Sequence, residues 1–520
     1  MLSRPTTRSA AIVASVLAVS AILAMMGARA GDLPDPEVQE DVENILRRTG
    51  WRSSTWGVLA VSLDYGDTLV AVNSDEALIP ASNVKLLTTM AALYFLGPDY
   101  RYTTYLLATD SVTDGVLASD LTLYGTGDPA LSWRFADSRT AVIEGLADSL
   151  VAAGVKRLDG DIVGDASYFE SPSQHPTWDP RDLDDWFAAP ASALSFNENV
   201  VTLRVVATET GFAPTIHTVP PAAEVAIVNR AQTVAGRPQR QILMSRADGE
   251  GPIVISGEIA RGGRDRWDLL SVADPALFAA GALRNALRER GVVITGDVRA
   301  VTDPTDSPLT GRTMWPDSSG AAPRAVAVHR SPPLTELLGV TNKTSHNLYA
   351  ELILRTLGRT VFGDGSFAGG ARAVERFLHE AASVDTSNVV LVDGSGLSRE
   401  NKVSASSFVQ ALDYMAKSDL WDPLWTSLPE AGGREMRRMN RSPAEDNLRA
   451  KTGTLTSVSA LSGLLRTVEG ERILFSIIQN GVPSRGSAKY VEDRLSVRLA
   501  TFRRTNQDGT VDIRRAVGQR

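Results

Sequence analysis

Ile79-Pro80-Ala81-Ser82-Asn83-Val84-Lys85-Leu86-Leu87-Thr88-Thr89-Met90-Ala91-Ala92-Leu93-Tyr94-Phe95-Leu96-Gly97 is the stretch on which the fold turns. A proline and small polar residues lead into a largely apolar run that stops at glycine, which predicts a helix from Asn83 to Leu96. A helix apolar nearly all round belongs inside a core. Ser82 and Lys85 stand three residues apart at its start, so their side chains share one face about one turn apart. That spacing lets a lysine amine take the proton of a serine hydroxyl. The amine must be neutral to do so, and its ordinary pKa of about 10.4 has to be lowered by burial or a neighbouring cation. The plainer alternative is a helix-start serine beside a solvated lysine. Only seven of the 53 basic residues are lysine (85, 156, 343, 402, 417, 451 and 489), and Lys85 alone has a serine three positions before it.

Outward from this helix, the chain shows the same theme at both ends. Asp35-Pro36, with Val38, Val42, Ile45 and Leu46 at helical spacing and Gly50 behind them, predicts a capped amphipathic helix. Trp56–Leu63 and Thr68–Val72 read as a hairpin. Near the other end, Ser457–Arg466 and Arg472–Gln479 read as a second hairpin, and Tyr490–Arg503 as a closing helix with Val491, Leu495, Leu499 and Phe502 on one side. A hairpin and a helix at each end predict one sheet built from both ends of the chain. Between them, about Tyr102 to Pro323 turns to short strands, many Gly/Pro/Asp turns and one clear helix near Thr140–Ala153. This is expected to be inserted material. Helical patterns return at Pro333–Val340, Ser345–Leu357, Gly370–Ala382 and Ser404–Ala416.

Composition narrows the chemistry. At 520 residues, with 43% hydrophobic and 22% charged, the chain is too long for one core and globular in character. It has no cysteine, which excludes disulfides, thiolate zinc sites, iron–sulfur clusters and a cysteine nucleophile. Residues 1–30 carry Arg4 and Arg8, an apolar run from Ala10 to Gly27, and Ala28-Arg29-Ala30, the form of an export signal with its cleavage site. The alternative is an uncleaved membrane anchor. Losing that segment removes three arginines from a chain already at net charge −8, which disfavours a nucleic-acid partner. The tail after Arg503 has no periodicity and is expected to fray.

Two more motifs carry chemistry. Lys451-Thr452-Gly453, followed by Thr454 on an expected strand, offers a cation and a hydroxyl for a substrate carboxylate, with a glycine that permits close backbone approach. Ser345-His346-Asn347 opens a helix. A second S-x-N, Ser195-Phe196-Asn197, runs into the strand Val200–Leu203 inside the insert, so Ser345 is preferred. Five scattered histidines show no H-E-x-x-H spacing, and no nucleophile elbow or phosphate-binding glycine loop is present. No metal and no cofactor are expected.

S-x-x-K, S-x-N and K-T-G in this order form the serine acyl-transfer set of penicillin-binding proteins and β-lactamases. With Leu123–Leu131, Gly164–Phe169, Asp393–Ser398 and Ala450–Gly463, the chain resembles the class C low-molecular-mass penicillin-binding proteins over nearly its whole length. These are D-Ala-D-Ala carboxypeptidases/endopeptidases with large inserts after the S-x-x-K helix. The resemblance implies an α/β (α+β) fold: a transpeptidase-like domain with an antiparallel sheet flanked by helices, plus two nested, mainly β insert domains. The expected division is a signal peptide at 1–30, a catalytic domain at 31–104 and 325–504, an insert at 105–324 with a small nested domain at about 128–199, and a flexible tail at 505–520. It further implies Ser82 as the acylated nucleophile, Lys85 as its base, Ser345 as proton relay and Asn347 as holder of the substrate amide. Lys451 would supply positive field, Thr452 would bind the terminal carboxylate beside Gly453, and the N–H groups of Ser82 and Thr454 would form the oxyanion hole.

The implied setting is exported, periplasmic or wall-associated. The implied partners are peptidoglycan stem peptides, with β-lactams as inhibitors and no stable membrane span after signal cleavage. Three features depart from the family pattern or stay open. His346 stands where an acid is usual and is expected to point away from the chemistry. The loop Leu428–Arg434 has Gly-Arg where Asp-Gly-Thr is usual. Trp178 and Phe187 are candidate groove walls, with core packing the alternative for each. The arginines at 434, 437, 438, 441 and 449 are expected to form a solvated face. Two other functions share the motifs: a β-lactamase on the same scaffold, which the long insert disfavours, and a non-catalytic wall-binding protein, which the intact motifs disfavour.

Overall fold

The computed structural model describes residues 35–504, apart from 248–249 and 308–323. The export segment and the tail expected at 505–520 lie outside the described residues.

The two ends of the chain meet in one antiparallel sheet. Its strands are β1 (Thr55–Ser62), β2 (Thr68–Val72), β3 (Leu448–Leu455), β4 (Val458–Arg466) and β5 (Arg472–Asn480), in the order β3-β4-β5-β1-β2. β1 pairs with β5 from Thr55↔Asn480 to Ser62↔Ile473, which joins the N-terminal hairpin to the C-terminal one. Alternation along β5 explains why both faces are covered. Ile473, Phe475 and Ile477 pack with Val38, Val42, Leu495 and Leu499, which belong to α1 (Pro36–Arg47) and to α6 (Arg485–Ala500). Leu474 and Ile478 face the other way, toward Met90 of α2 (Val84–Leu96) and Phe408 of α5 (Ala405–Ala416). A strand apolar on both sides is what a sheet between two helical layers requires.

α2 is buried from Val84 through Leu93, polar residues included, and Gly97 ends it at φ 82° with its N–H bonded to the Leu93 carbonyl. Two further helices complete this layer, α3 (Leu334–Lys343) and α4 (Asn347–Phe362). The helical pattern expected at Gly370–Ala382 is an α-helix at Phe367–Arg376 that widens into a π turn at Phe377–Ala381.

The intervening chain builds a second five-stranded sheet, in the order Val298–Val301, Ile162–Asp165, Leu121–Tyr124, Thr103–Ala108 and Arg324–Arg330. The last two of these pair antiparallel along their whole length. The expected boundaries at 104/105 and 324/325 fall inside these two paired strands. The nested unit expected at 128–199 shares this sheet. Its strand Ile162–Asp165 lies inside the second sheet, and separate small sheets form later, within Val200–Ser271. Strand pairing over such separations leaves no local signal in the sequence. Beside the helix at Ala141–Ala152, the insert has a second helix, Pro275–Glu289, which the single-helix expectation missed although Asp274 caps it and Pro275 opens it.

Arg355 of α4 fastens the insert to this layer. It is fully buried, and its guanidinium donates to the carbonyls of Ala191 (2.6 Å), Glu170 and Gly365 (2.8 Å) while lying over the rings of Phe169 and Phe367. Among the described residues, no helix is long and apolar enough to cross a membrane. Truncating Phe475 to alanine, at the centre of the terminal sheet, is expected to cost about 3–5 kcal/mol, read as a lowered urea midpoint of the whole protein.

Candidate active site

The N-terminal end of α2 meets the edge strand β3 and the start of α4, and the three motifs converge there. Ala81–Asn83 forms a single 3-10 turn ahead of α2. Two side chains anchor that turn to the sheet. Asn480 exchanges hydrogen bonds with the backbone of Ile79 (2.9 and 3.0 Å), and Asn83 donates to Ser462 Oγ at 2.7 Å. The turn carries backbone strain, since Ala81 sits at φ 47°, and so does the approach to α4, where Ser345 sits at φ 57°. Strain of this kind persists only where surrounding contacts over-determine the conformation.

Lys85 has no exposed surface. Its amine donates to Ser82 Oγ at 3.0 Å, to Asn347 Oδ1 at 2.7 Å and to the Ser395 carbonyl at 2.7 Å. Burial brings the amine down to about pKa 7, and the carboxylates of Glu351 and Asp393 act against that shift. A buried lysine with its pKa lowered in this way, within reach of a serine hydroxyl, is able to take that hydroxyl's proton.

Lys451 is equally buried, and its amine donates to Ser345 Oγ at 2.9 Å and to the Thr452 carbonyl at 2.8 Å. Burial, then the cations Lys85 and Lys489, push it well below the ordinary lysine range. Each motif serine thus has one lysine, Ser82 with Lys85 and Ser345 with Lys451. Asn347 links the motifs to the insert, because its Nδ2 donates to the Phe187 carbonyl at 2.7 Å. Thr452 and Thr454 are half-buried on β3.

Gly453 packs closely against the turn that carries Ser82. A Cβ there would lie 2.7 Å from the Pro80 carbonyl oxygen and 3.2 Å from both Ala81 Cβ and the Ser82 nitrogen. The missing side chain lets β3 close on the turn that holds Ser82. Gly396 makes the same allowance from the other side, since a Cβ there would overlap the Ala81 carbonyl, and its φ of 76° suits glycine.

The remaining candidates sort by what they touch. His346 turns away from Ser82: it is buried, 3.0 Å from Glu198 Oε2, and Glu198 also pairs with Arg134. Trp178 is a core residue against Phe367 that donates its indole N–H to Asp393 at 3.0 Å, and Phe187 reaches the site through its backbone. Ser195 is buried, bonded to the Ser192 carbonyl and Asn199, away from the cluster. The arginine face divides. Arg434, Arg437 and Arg441 are exposed, Arg438 pairs with Glu492 and Asp493, and Arg449 pairs with Glu430 over the Trp425 ring.

Three groups escaped the sequence. Glu351 and Asp393 lie buried behind Lys85, and Lys489 donates to the Gly453 carbonyl at 3.1 Å while paired with Glu492. Glu351 stands four residues after Asn347 on α4, which places it on the same face. A lone acid in an apolar helix was the available signal.

A serine hydroxyl beside a buried lysine amine, and a second serine–lysine pair next to it on the edge of an antiparallel sheet, fit a serine acyl-transfer hydrolase. The family model described as D-Ala-D-Ala carboxypeptidase 3 (S13) matches residues 38–502. A protein of Actinomadura sp. (strain R39) named D-alanyl-D-alanine carboxypeptidase is 33% identical over 480 residues, covering 90% of this chain and 85% of that one. A carboxypeptidase of Mycobacterium tuberculosis is 28% identical over 441 residues, 82% of this chain and 76% of that one. The crystal structure of penicillin binding protein 4 from Haemophilus influenzae superposes with a TM-score of 0.73 at 25% identity, covering 89% of this chain and 100% of that one. The chain belongs to the D-Ala-D-Ala carboxypeptidase 3 (S13) family and is a serine-type carboxypeptidase.

Gly453→Ala tests the close approach. The protein should fold with an unchanged circular dichroism spectrum, while displacement of β3 by a fraction of an ångström lowers peptidase kcat/KM on the order of 10²-fold.

Proposed function

We propose that this enzyme removes the terminal D-alanine from peptidoglycan stem peptides, and cuts D-alanyl cross-links, through an ester on Ser82. The observation that carries the roles is the fully buried Lys85 amine 3.0 Å from Ser82 Oγ. Neutral Lys85 takes the Ser82 proton as Oγ attacks the carbonyl of the penultimate residue. The backbone N–H groups of Ser82 and Thr454 receive the oxyanion. Ser345 relays to the departing amine the proton that Lys85 took, Asn347 holds the substrate amide, and Lys451 with Thr452 receives the terminal carboxylate. Water then hydrolyses the ester. A β-lactam presents a comparable acyl carbonyl and carboxylate, and would leave a slowly hydrolysed ester on the same serine.

The same proposal extends to setting and organisation. Residues 1–30 direct export to the periplasm or wall. The catalytic unit comprises 35–102 and 331–504, and the insert 103–330, with a nested part within 200–271.

Two experiments test these assignments. A fluorescent penicillin should label the protein covalently, Ser82→Ala should abolish the label, and the wild type should release D-alanine from a stem peptide. Label that survives in Ser82→Ala would remove Ser82 as nucleophile, and labelling without D-alanine release or cross-link cleavage would favour a non-catalytic wall protein. The second is a pH profile. Because Lys85 must be neutral and its pKa is brought to about 7, second-order labelling should be full above that pH and fall as pH drops through it.

A further inference from the structure

Behind Lys85, on the side away from Ser82, lie two buried carboxylates to which the mechanism above gives no role. Glu351 is fully buried on α4, and its two oxygens accept the backbone N–H groups of Gly394 and Ser395, each at 2.8 Å. The carbonyl of that same Ser395 accepts from Lys85 at 2.7 Å. Glu351 therefore holds, through one peptide unit, the acceptor that fixes the amine. Asp393 is also fully buried and takes four donors: the N–H groups of Gly396 (2.8 Å) and Ser398 (2.7 Å), Asn401 Nδ2 (2.9 Å) and Trp178 Nε1 (3.0 Å). One acid is thus tied into α4 and the other to the insert, and both act on the same lysine.

The need for such groups follows from the chemistry. When Lys85 takes the Ser82 proton, an ammonium forms with no exposed surface, and a buried charge without an opposite charge is costly. Among the described residues, the charged and titratable groups acting on this amine from the packed elements are Glu351 of α4, Asp393 of the following loop and Lys451 of β3, and the buried Arg355, one turn on along α4, acts on Glu351 in turn. Only the two acids can balance the ammonium. Burial pushes the Glu351 carboxyl up to about 8 as it brings the Lys85 amine down to about 7, and an ammonium formed on Lys85 draws the carboxyl back toward its ionised form.

We propose that Glu351, with Asp393 beside it, is a positioning residue for Lys85: it holds the 393–396 loop against the amine and supplies the negative charge that the newly formed ammonium requires. This inference rests on Lys85 being the base for Ser82.

The test is the pH dependence of penicillin acylation, measured as second-order labelling. Glu351→Gln keeps the side-chain volume and removes the charge, so the ammonium is less stable and gives up its proton at lower pH. The acid limb should shift down by about one unit, an affinity change of about tenfold, while the plateau falls. Glu351→Asp should return the limb toward its wild-type position. A residue that only props the loop would lower the plateau and leave the limb in place, and that result overturns the proposal. Asp393→Asn gives a second reading should Glu351→Gln fail to fold. It removes the other negative charge acting on Lys85 and should likewise move the limb to lower pH. An unmoved limb in folded Asp393→Asn counts equally against the proposal. Failure of the underlying base assignment looks different: Lys85→Arg would then be labelled at the wild-type rate, whereas failure of this inference leaves Lys85→Arg inert and the limbs unmoved.

Discussion

A lysine amine held out of water beside a serine hydroxyl is the constraint around which the rest of this protein is arranged. Water would keep that amine charged and useless as a base, so burial must be complete, and each polar contact that water would have made has to be replaced. Ser82, Asn347 and the Ser395 carbonyl do this from three parts of the chain. The apolar circumference of α2 sinks the amine. α4 presents Asn347 and Glu351 on one face, one to the amine and one to the loop that supplies the third acceptor. Glycines at 453 and 396 let β3 and the loop close on the turn. The terminal sheet gives this arrangement its rigidity, because Asn480 and Ser462 fix the backbone and the Asn83 side chain of the turn from the strands beneath.

The two buried lysines illustrate how neighbours divide similar residues between different tasks. Lys85 is lowered by burial and pulled back by two carboxylates, so it can exchange a proton. Lys451 is lowered by burial and lowered again by Lys85 and Lys489, so its surroundings favour an incoming anion over a retained proton. A substrate carboxylate would bring the negative charge that this second site lacks. Arginine could fill neither place, since it does not release its proton and its planar fork differs from a compact ammonium. In a chain this rich in arginine, the lysines at 85, 451 and 489 stand together at one edge of one sheet.

What could be read from the sequence was whatever has a local signal. The α2 helix was plain from its unbroken apolar run and its terminal glycine, and the terminal sheet from two hairpins with short turns. The three motifs named the serines and lysines because their spacing is itself the chemistry. Features that depend on distant pairing were hidden. Thr103–Ala108 and Arg324–Arg330 are far apart in the chain yet adjacent in a sheet, a pairing that no local pattern announces. Glu351 and Asp393 were hidden for another reason: an acid in a helix or loop carries no mark that it will be buried, and only packing shows that both face a lysine. The helix Pro275–Glu289 is the exception, since its cap was visible, but it was obscured by the strand-rich pattern around it.

Arg355 adds a point about how freely this protein can change. The residue that fastens the insert hydrogen-bonds there to main-chain oxygens alone, at Glu170, Pro172 and Ala191, and stacks on a single ring, Phe169. Carbonyls are supplied by every amino acid, so apart from that ring the join sets the path of the segment without calling for particular side chains. The turn Trp186–Ala188 further along meets the site in the same way, through the Phe187 carbonyl held by Asn347. Side chains there can be exchanged while both grips on the main chain stay in place. A clasp that closes on backbone lets the strap be re-lettered without being re-tied.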